Sequence, residues 1–197
     1  MEHEPKSSRE LPEWQTLPAT EFKPSPERLQ ELPPQTFNVE QMESGQVAAL
    51  VMALEAGIDL AEKPEGSYIR DSGGGRGGID ELTSLLERDL TCLPARNLEK
   101  AREVIFALAT HKHYFVRAVA GDAISSLFRF QPVDDHLARQ QVIDVWVGLL
   151  QDEDEVAREG AEVSMSRTVD SDWIDEPTAR YLDSKLPPEW QREDWWT

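Results

Sequence analysis

The sequence is short of cysteine, of positive charge and of long apolar runs, and each shortage removes a class of protein. Cys92 is the only cysteine, so no disulfide framework can form within the chain, and a reducing compartment is the simpler setting. Lys and Arg number 20 against 38 Asp and Glu, for a net charge of −18. A chain so poor in cations is badly equipped to displace counterions from a phosphate backbone or to settle on an anionic lipid surface. Neither a nucleic-acid nor a membrane partner is therefore expected. No apolar run approaches the ~20 residues that span a bilayer, and the stretch from Met1 to Lys6 has none of the apolar character of a secretory leader. The expectation is a cytoplasmic protein used as written.

Apolar residues are also scarce, at 39% against roughly 45–50% in globular chains. Part of the 197 residues is thus expected to lack a core of its own. The prolines point to which part, since they gather mainly at the two ends. Residues 1–38 are polar, proline-rich and without periodicity, and proline removes amide donors and steers its predecessor out of the helical region. An extended arm is expected there, with Trp14, Phe22, Leu29, Leu32 and Phe37 as apolar anchors. Residues 187–197 form an acidic, tryptophan-rich tail. Between them, residues 39–186 read as a helical domain interrupted by a flexible glycine-rich loop over 64–78.

Within that domain, apolar side chains recur at three- and four-residue spacing, which places them on one helix face. The first helix is expected over 39–60, capped by Asn38 and burying Val47, Leu50, Val51, Leu54 and Ile58. A second is expected over 79–90, burying Leu82, Leu85 and Leu86 and ended by Pro94. Helices over 97–110, 113–130, 135–150 and 154–169 follow, with Phe115, Val145, Val156 and Val163 among the expected inward positions. A shorter one starts near Pro177 and carries Tyr181, Leu182 and Leu186. The links Thr110-His111-Lys112 and Gln151-Asp152-Glu153 are short, so consecutive helices should be antiparallel neighbours. The expected fold class is all-α.

The two short links also match each other. With Arg117 set over Arg158, 41 residues apart, Leu108 falls on Leu149 and Ala120 on Ala161. A leucine pair and an acidic turn, as at Leu149-Leu150-Gln151-Asp152, and Val-Arg-x-x-Ala opening a second helix, as at Val116 to Ala120, resemble the HEAT-like helical-repeat family, and a period near 40 with two helices per unit suits it. The resemblance covers about residues 97–170, in two repeats; upstream it lapses, because Arg76 in the glycine loop takes the place of Arg117. It implies a short α-solenoid of antiparallel helix pairs. It further implies that the repeat arginine binds the turn of a neighbouring repeat, and that the alanine three residues later lets adjacent helices approach.

Features that invite a chemical reading are weak. The glycines at 73–78 precede a helix but lack the Lys-Ser/Thr and the leading strand of a phosphate-binding loop. His111 and His113 bracket Lys112 but lack the further ligands of a closed zinc site, and turn histidines at a helix start account for them. Asp134-Asp135 and Glu153-Asp154-Glu155 sit where helix caps and first-turn dipole partners belong. No catalytic residue, cofactor or metal is expected, with His111, His113, Asp134 and His136 the one polar set worth testing as an enzyme site.

Charge is distributed unevenly: residues 93–149 carry +1 and residues 150–197 carry −9. The leading expectation is a non-catalytic protein-binding adaptor or inhibitor. A more specific form is an immunity or antitoxin protein that neutralises a basic toxin or nuclease, and a structural subunit of a larger assembly is the other alternative. The partner is expected to be a protein with a basic surface, since complementary charge speeds encounter. Candidate contacts are Arg117, Arg129 and Arg158 on the second helices, Asp152, Glu153, Asp154 and Glu155 at the rim, and Trp190, Trp195 and Trp196 in the tail, tryptophan being common among binding anchors. Pro12-Glu13-Trp14-Gln15 recurs as Pro188-Glu189-Trp190-Gln191, which suggests that both extensions fold back and bury Trp14 and Trp190 at the ends of the array.

Overall fold

The computed structural model describes residues 38–62 and 76–192, with side chains described outside 57–82. All regular structure among these residues is helical: α1 (Ser44–Glu62), α2 (Arg76–Arg96), α3 (Leu98–Ala109), α4 (Tyr114–Phe130), α5 (His136–Leu150), α6 (Glu155–Val169) and α7 (Glu176–Asp183), with short 3-10 turns at Val39–Gln41 and Pro188–Trp190. No helix among the described residues is long and apolar enough to cross a membrane. The expected arm over 1–38, apart from Asn38, most of the glycine-rich loop and residues 193–197 lie outside the described residues.

Helix starts follow local chemistry. Asn97, Asp135, Asp154 and Asp175 each accept a backbone N–H from the first turn they precede, and such caps contribute about 1 kcal/mol each. Two boundaries differ from expectation. Asn38 caps nothing with its side chain; a 3-10 turn follows it and α1 begins only at Ser44, because Glu43 N–H is already satisfied by the Gln46 side chain at 2.8 Å. The second helix is far longer than 79–90: it starts at Arg76, inside the expected loop, and carries Pro94 within its last turn. A proline there forfeits one intrahelical bond, yet the chain still closes the turn beyond it through Asn97 N–H to Leu93 O at 2.8 Å.

The core runs through all seven helices. In α4 the stripe Val116, Val119, Ala120, Ala123, Ile124, Leu127 and Phe128 is buried, and Ile105, Leu108, Val142, Trp146 and Leu149 meet it from α3 and α5. Val156 and Tyr181 are exposed instead of facing inward, and Phe115, Val145, Val163 and Leu85 are half-buried. Val156 and Val163 stand one turn or less from Ala157 and Ala161, which take the buried stripe of α6; tightness there favours the smaller side chains.

The most intimate contact is between α4 and α6. A Cβ on Gly121 would lie 2.8 Å from Ala161 N, and one on Gly160 would lie 2.9 Å from Ala118 O. Neither position has room for a side chain, so glycine sets how closely the helices approach. Trp146 of α5 locks the crossing. Its fully buried indole N–H reaches Ala161 O and Ser164 Oγ, each at 3.1 Å, while the Ser164 hydroxyl donates to Gly121 O at 2.6 Å.

The 41-residue correspondence has a geometric counterpart. Arg117 Nη1 donates to His111 O and Lys112 O at 2.9 and 3.0 Å. Arg158 Nη1 donates to Asp152 O and Glu153 O at 2.8 and 3.2 Å. Ala120 and Ala161 are both fully buried.

Candidate functional site: a mixed-charge groove

Past the glycine crossing, α4 and α6 diverge while α2 flanks them, and a groove of about 420 Å³ opens between the three. Its walls step along the helices together, Asp122, Ser125, Ser126 and Arg129 on α4 facing Ser164, Arg167 and Thr168 on α6. Glu87 and Thr91 of α2 form the third side, and Ser171 and Trp173 close the far end.

The electrostatics are unusual for so polar a surface. Glu87, Asp122, Arg129 and Arg167 all line the groove. None of the four side chains takes part in a hydrogen bond or ion pair to another described residue. Asp122 retains contact with solvent, but the surrounding helices thin the water around it and push its carboxyl up to about 6. Glu87 and Glu159 add to that push by repulsion, and Arg167 opposes it. Desolvation likewise raises the Glu87 carboxyl above its ordinary range. At the opposite end Arg129 stacks its guanidinium over Trp173, 5.6 Å from the ring centroid, and Trp173 packs in turn on Phe128 at 6.3 Å.

Five of the six hydroxyls that line the groove, all but that of Ser126, are occupied by main chain. Thr91 donates to Arg88 O, Ser125 to Asp122 O, Ser164 to Gly121 O, Thr168 to Ser164 O and Ser171 to Arg167 O. None of these bonds goes to a carboxylate, so no serine here is set up to lose its proton to Glu87 or Asp122. The arrangement can hold a proton near neutrality at Asp122, and it can bind groups of either charge.

Of the described residues singled out from sequence, Arg129 lies in this groove and the others do not. Arg117 sits twelve residues earlier on α4, roughly 18 Å away by helical rise. Its Nε donates to Asp152 Oδ2 at 2.6 Å and its Nη2 to Asp152 Oδ1 at 2.8 Å. That fork joins α4 to the turn between α5 and α6. The side chains are only 13% and 9% exposed, so they serve that contact between helices and leave little for a partner. The bond to Arg117 holds the Asp152 carboxyl below its ordinary range, helped by Asp154 N–H, and raises the Arg117 guanidinium. Asp154 caps Val156 N–H at 3.0 Å. Glu153 and Glu155 are exposed. Trp190 is 39% exposed, so its indole is not buried as expected. The chain around it does fold back, with Gln191 Nε2 donating to Leu186 O at 2.7 Å and Arg192 N–H to Asp183 Oδ1 at 3.1 Å. Trp14, Trp195 and Trp196 lie outside the described residues.

The histidines are not gathered. His113 stands at the start of α4, where its N–H donates to His111 Nδ1 at 3.1 Å and its Nε2 lies 3.4 Å from Glu55 Oε2. His136 opens α5 beyond the other end of α4 and, with Arg139 and Tyr181, lines a separate cleft of about 340 Å³. No group of three or more potential ligands clusters for a metal among the described residues, and Cys92 is exposed and free.

Sequence reading missed Glu87, Asp122, Arg167 and Trp173. A signal was present for Asp122, a charged residue set inside the apolar run Val119-Ala120-Gly121-Asp122-Ala123, and for the hydroxyls of Ser164, Thr168 and Ser171 at helical spacing. No protein-family model matches the chain, and no curated protein or solved structure does.

Proposed function

We propose that this chain is a non-catalytic, cytoplasmic protein-binding adaptor or inhibitor, built as a short HEAT-like α-solenoid whose α2–α4–α6 face takes the partner. The observation that supports it best is the groove itself, where two carboxylates and two guanidiniums make no hydrogen bond or ion pair with another described residue. Charged groups left this way gain most when a partner supplies the counter-charge. The test is capture from native lysate with two baits, the wild-type chain and a Ser126→Trp variant that fills the groove. A partner of fixed stoichiometry on the first and not the second is expected. A wild-type chain that stays alone, or a partner indifferent to the blocked groove, ends this reading.

The immunity or antitoxin form is favoured by one further observation, the net −9 over residues 150–197, where Glu153, Glu155 and Glu159 are exposed. That surface suits a cationic toxin. Its association should weaken at least tenfold between low and physiological salt, because exposed charges act over a Debye length of about 8 Å there; a salt-independent affinity removes the idea.

A further inference from the structure

The groove is polarised along its length, and this deepens the binding reading, on which it rests. Asp122 and Arg129 lie on the same α4 wall, seven residues apart, which is roughly 10 Å of helical rise. Glu87 joins the acidic end, where its charge is felt by Asp122, and Arg129 on Trp173 forms the basic end. Between them run hydroxyls whose protons go to helix carbonyls, leaving oxygen lone pairs turned to whatever occupies the space. A guanidinium held over an indole face still has N–H groups in its own plane to offer, and that fork matches a carboxylate. Side chains of an extended peptide return to one face every second residue, and four residues cover roughly 13 Å, a span that flexible side chains can match to this wall; 420 Å³ is within the volume range of sites that hold small ligands.

We propose that the groove is a cleft for an extended peptide segment of the partner, one that presents a basic side chain to Glu87 and Asp122 and, four residues along on the same face, a carboxylate to Arg129. Arg167 sets the register. Its charge bears on Asp122 from the α6 wall, so a basic side chain is best placed on the Glu87 side, away from it. The direction follows: the two ends cannot be exchanged without setting like charges together.

The experiment uses the full chain and capped five-residue peptides, titrated while the Trp173 indole and the α2, α4 and α6 amides are followed by NMR. The first peptide has arginine at one end, aspartate at the other and serines between. A second has the two charged residues exchanged. A third carries citrulline and asparagine in their places. Saturable shifts confined to the groove are expected with the first peptide, and affinities at least fivefold weaker with the other two. On the protein side, the Asp122→Asn and Arg129→Gln changes together should weaken the first peptide at least tenfold. The peptide series alone decides the matter if that variant is unstable. Shifts that never saturate, that spread over the acidic surface, or that are equal for all three peptides overturn the cleft. A lysate partner that still depends on an open groove, with no peptide preference, sinks this inference and leaves the adaptor reading standing.

Discussion

Arg117 and Arg158 stand 41 residues apart in equivalent settings, and one contact separates them. Each guanidinium closes its own turn by donating to two main-chain carbonyls. Arg117 alone also grips a carboxylate in the following turn, Asp152, with two further bonds. For Arg158, the last of the pair, no ion pair is formed with a described residue. The same side chain therefore does two separable jobs, bracing a turn and tying one helix pair to the next. Only the interior copy does both. The comparison predicts that stability is concentrated at the junction of α4 with α6 and its turn, and thins toward the end of the array.

The largest effect should come from the junction itself. Gly121→Val places a branched side chain against the main chain of α6, where even a Cβ would stand 2.8 Å from Ala161 N. Backbone cannot step aside as a flexible side chain can, so a loss of about 3 kcal/mol is expected. That corresponds to roughly 6–12 °C in Tm for a domain of this size. A midpoint within a degree of wild type would mean that the two helices are not in contact at this point.

Next comes the fork. Arg117→Gln or Asp152→Asn strands one member of a mostly enclosed ion pair and should cost about 2–3 kcal/mol, read from urea midpoints at pH 7. The pH dependence follows from the lowered Asp152 carboxyl. A carboxyl whose folded pKa lies below its unfolded value contributes stability that is present above the unfolded value near 4 and is lost as pH falls through the folded one. The acid limb of the wild-type stability curve should therefore flatten in Arg117→Gln. Parallel acid limbs in the two proteins would contradict the pairing.

The groove should behave in the opposite sense. The Asp122 carboxyl is raised to about 6 from its ordinary value of about 4, so the folded state binds the extra proton between those values. Its ionisation costs no stability below about pH 4, costs progressively more up to about pH 6, and the full amount above. Asp122→Asn should then stabilise the protein at pH 7 by on the order of 1 kcal/mol, a figure already reduced for the carboxyl's solvent contact, and should change little at pH 4. A variant less stable than wild type at pH 7 would show that Asp122 is held by partners in the fold.

How much of this could be read from the chain depended on whether a pattern was local or crossed between helices. The helices from α3 to α7 were legible to within a residue or so, since period, caps and short links all lie within a few positions of one another. The expectation that a repeat arginine reaches the neighbouring turn came from family resemblance, and Arg117 with Asp152 has that geometry. The start of α2 was not legible, because Arg76-Gly77-Gly78 has loop composition and its helicity is decided by what lies C-terminal to it. Pro94 misled for a related reason: a proline near a helix end forfeits one bond, and neighbouring contacts easily make up for it. The groove was the least legible. Glu87, Asp122 and Arg167 come from three helices, and no spacing in one dimension brings them together.

The smallest expected effect completes the comparison. Arg158→Gln removes the bracing of the turn at Asp152 and Glu153 but breaks no ion pair, so a loss of about 0.5–1 kcal/mol is expected, the net value of ordinary hydrogen bonds in a partly exposed setting. Part of even that loss passes through Asp152, whose carboxyl also feels the Arg158 charge. In Arg117→Gln, where Asp152 is already unpaired, removing Arg158 should therefore cost slightly more than it does alone. A double-mutant cycle measures this coupling directly. If the two arginines prove equal in cost and strictly additive, then tying α4 to the turn before α6 contributes nothing beyond bracing each turn. The domain would then hold two independent helix hairpins in contact, and its stability would not thin toward α6 and α7.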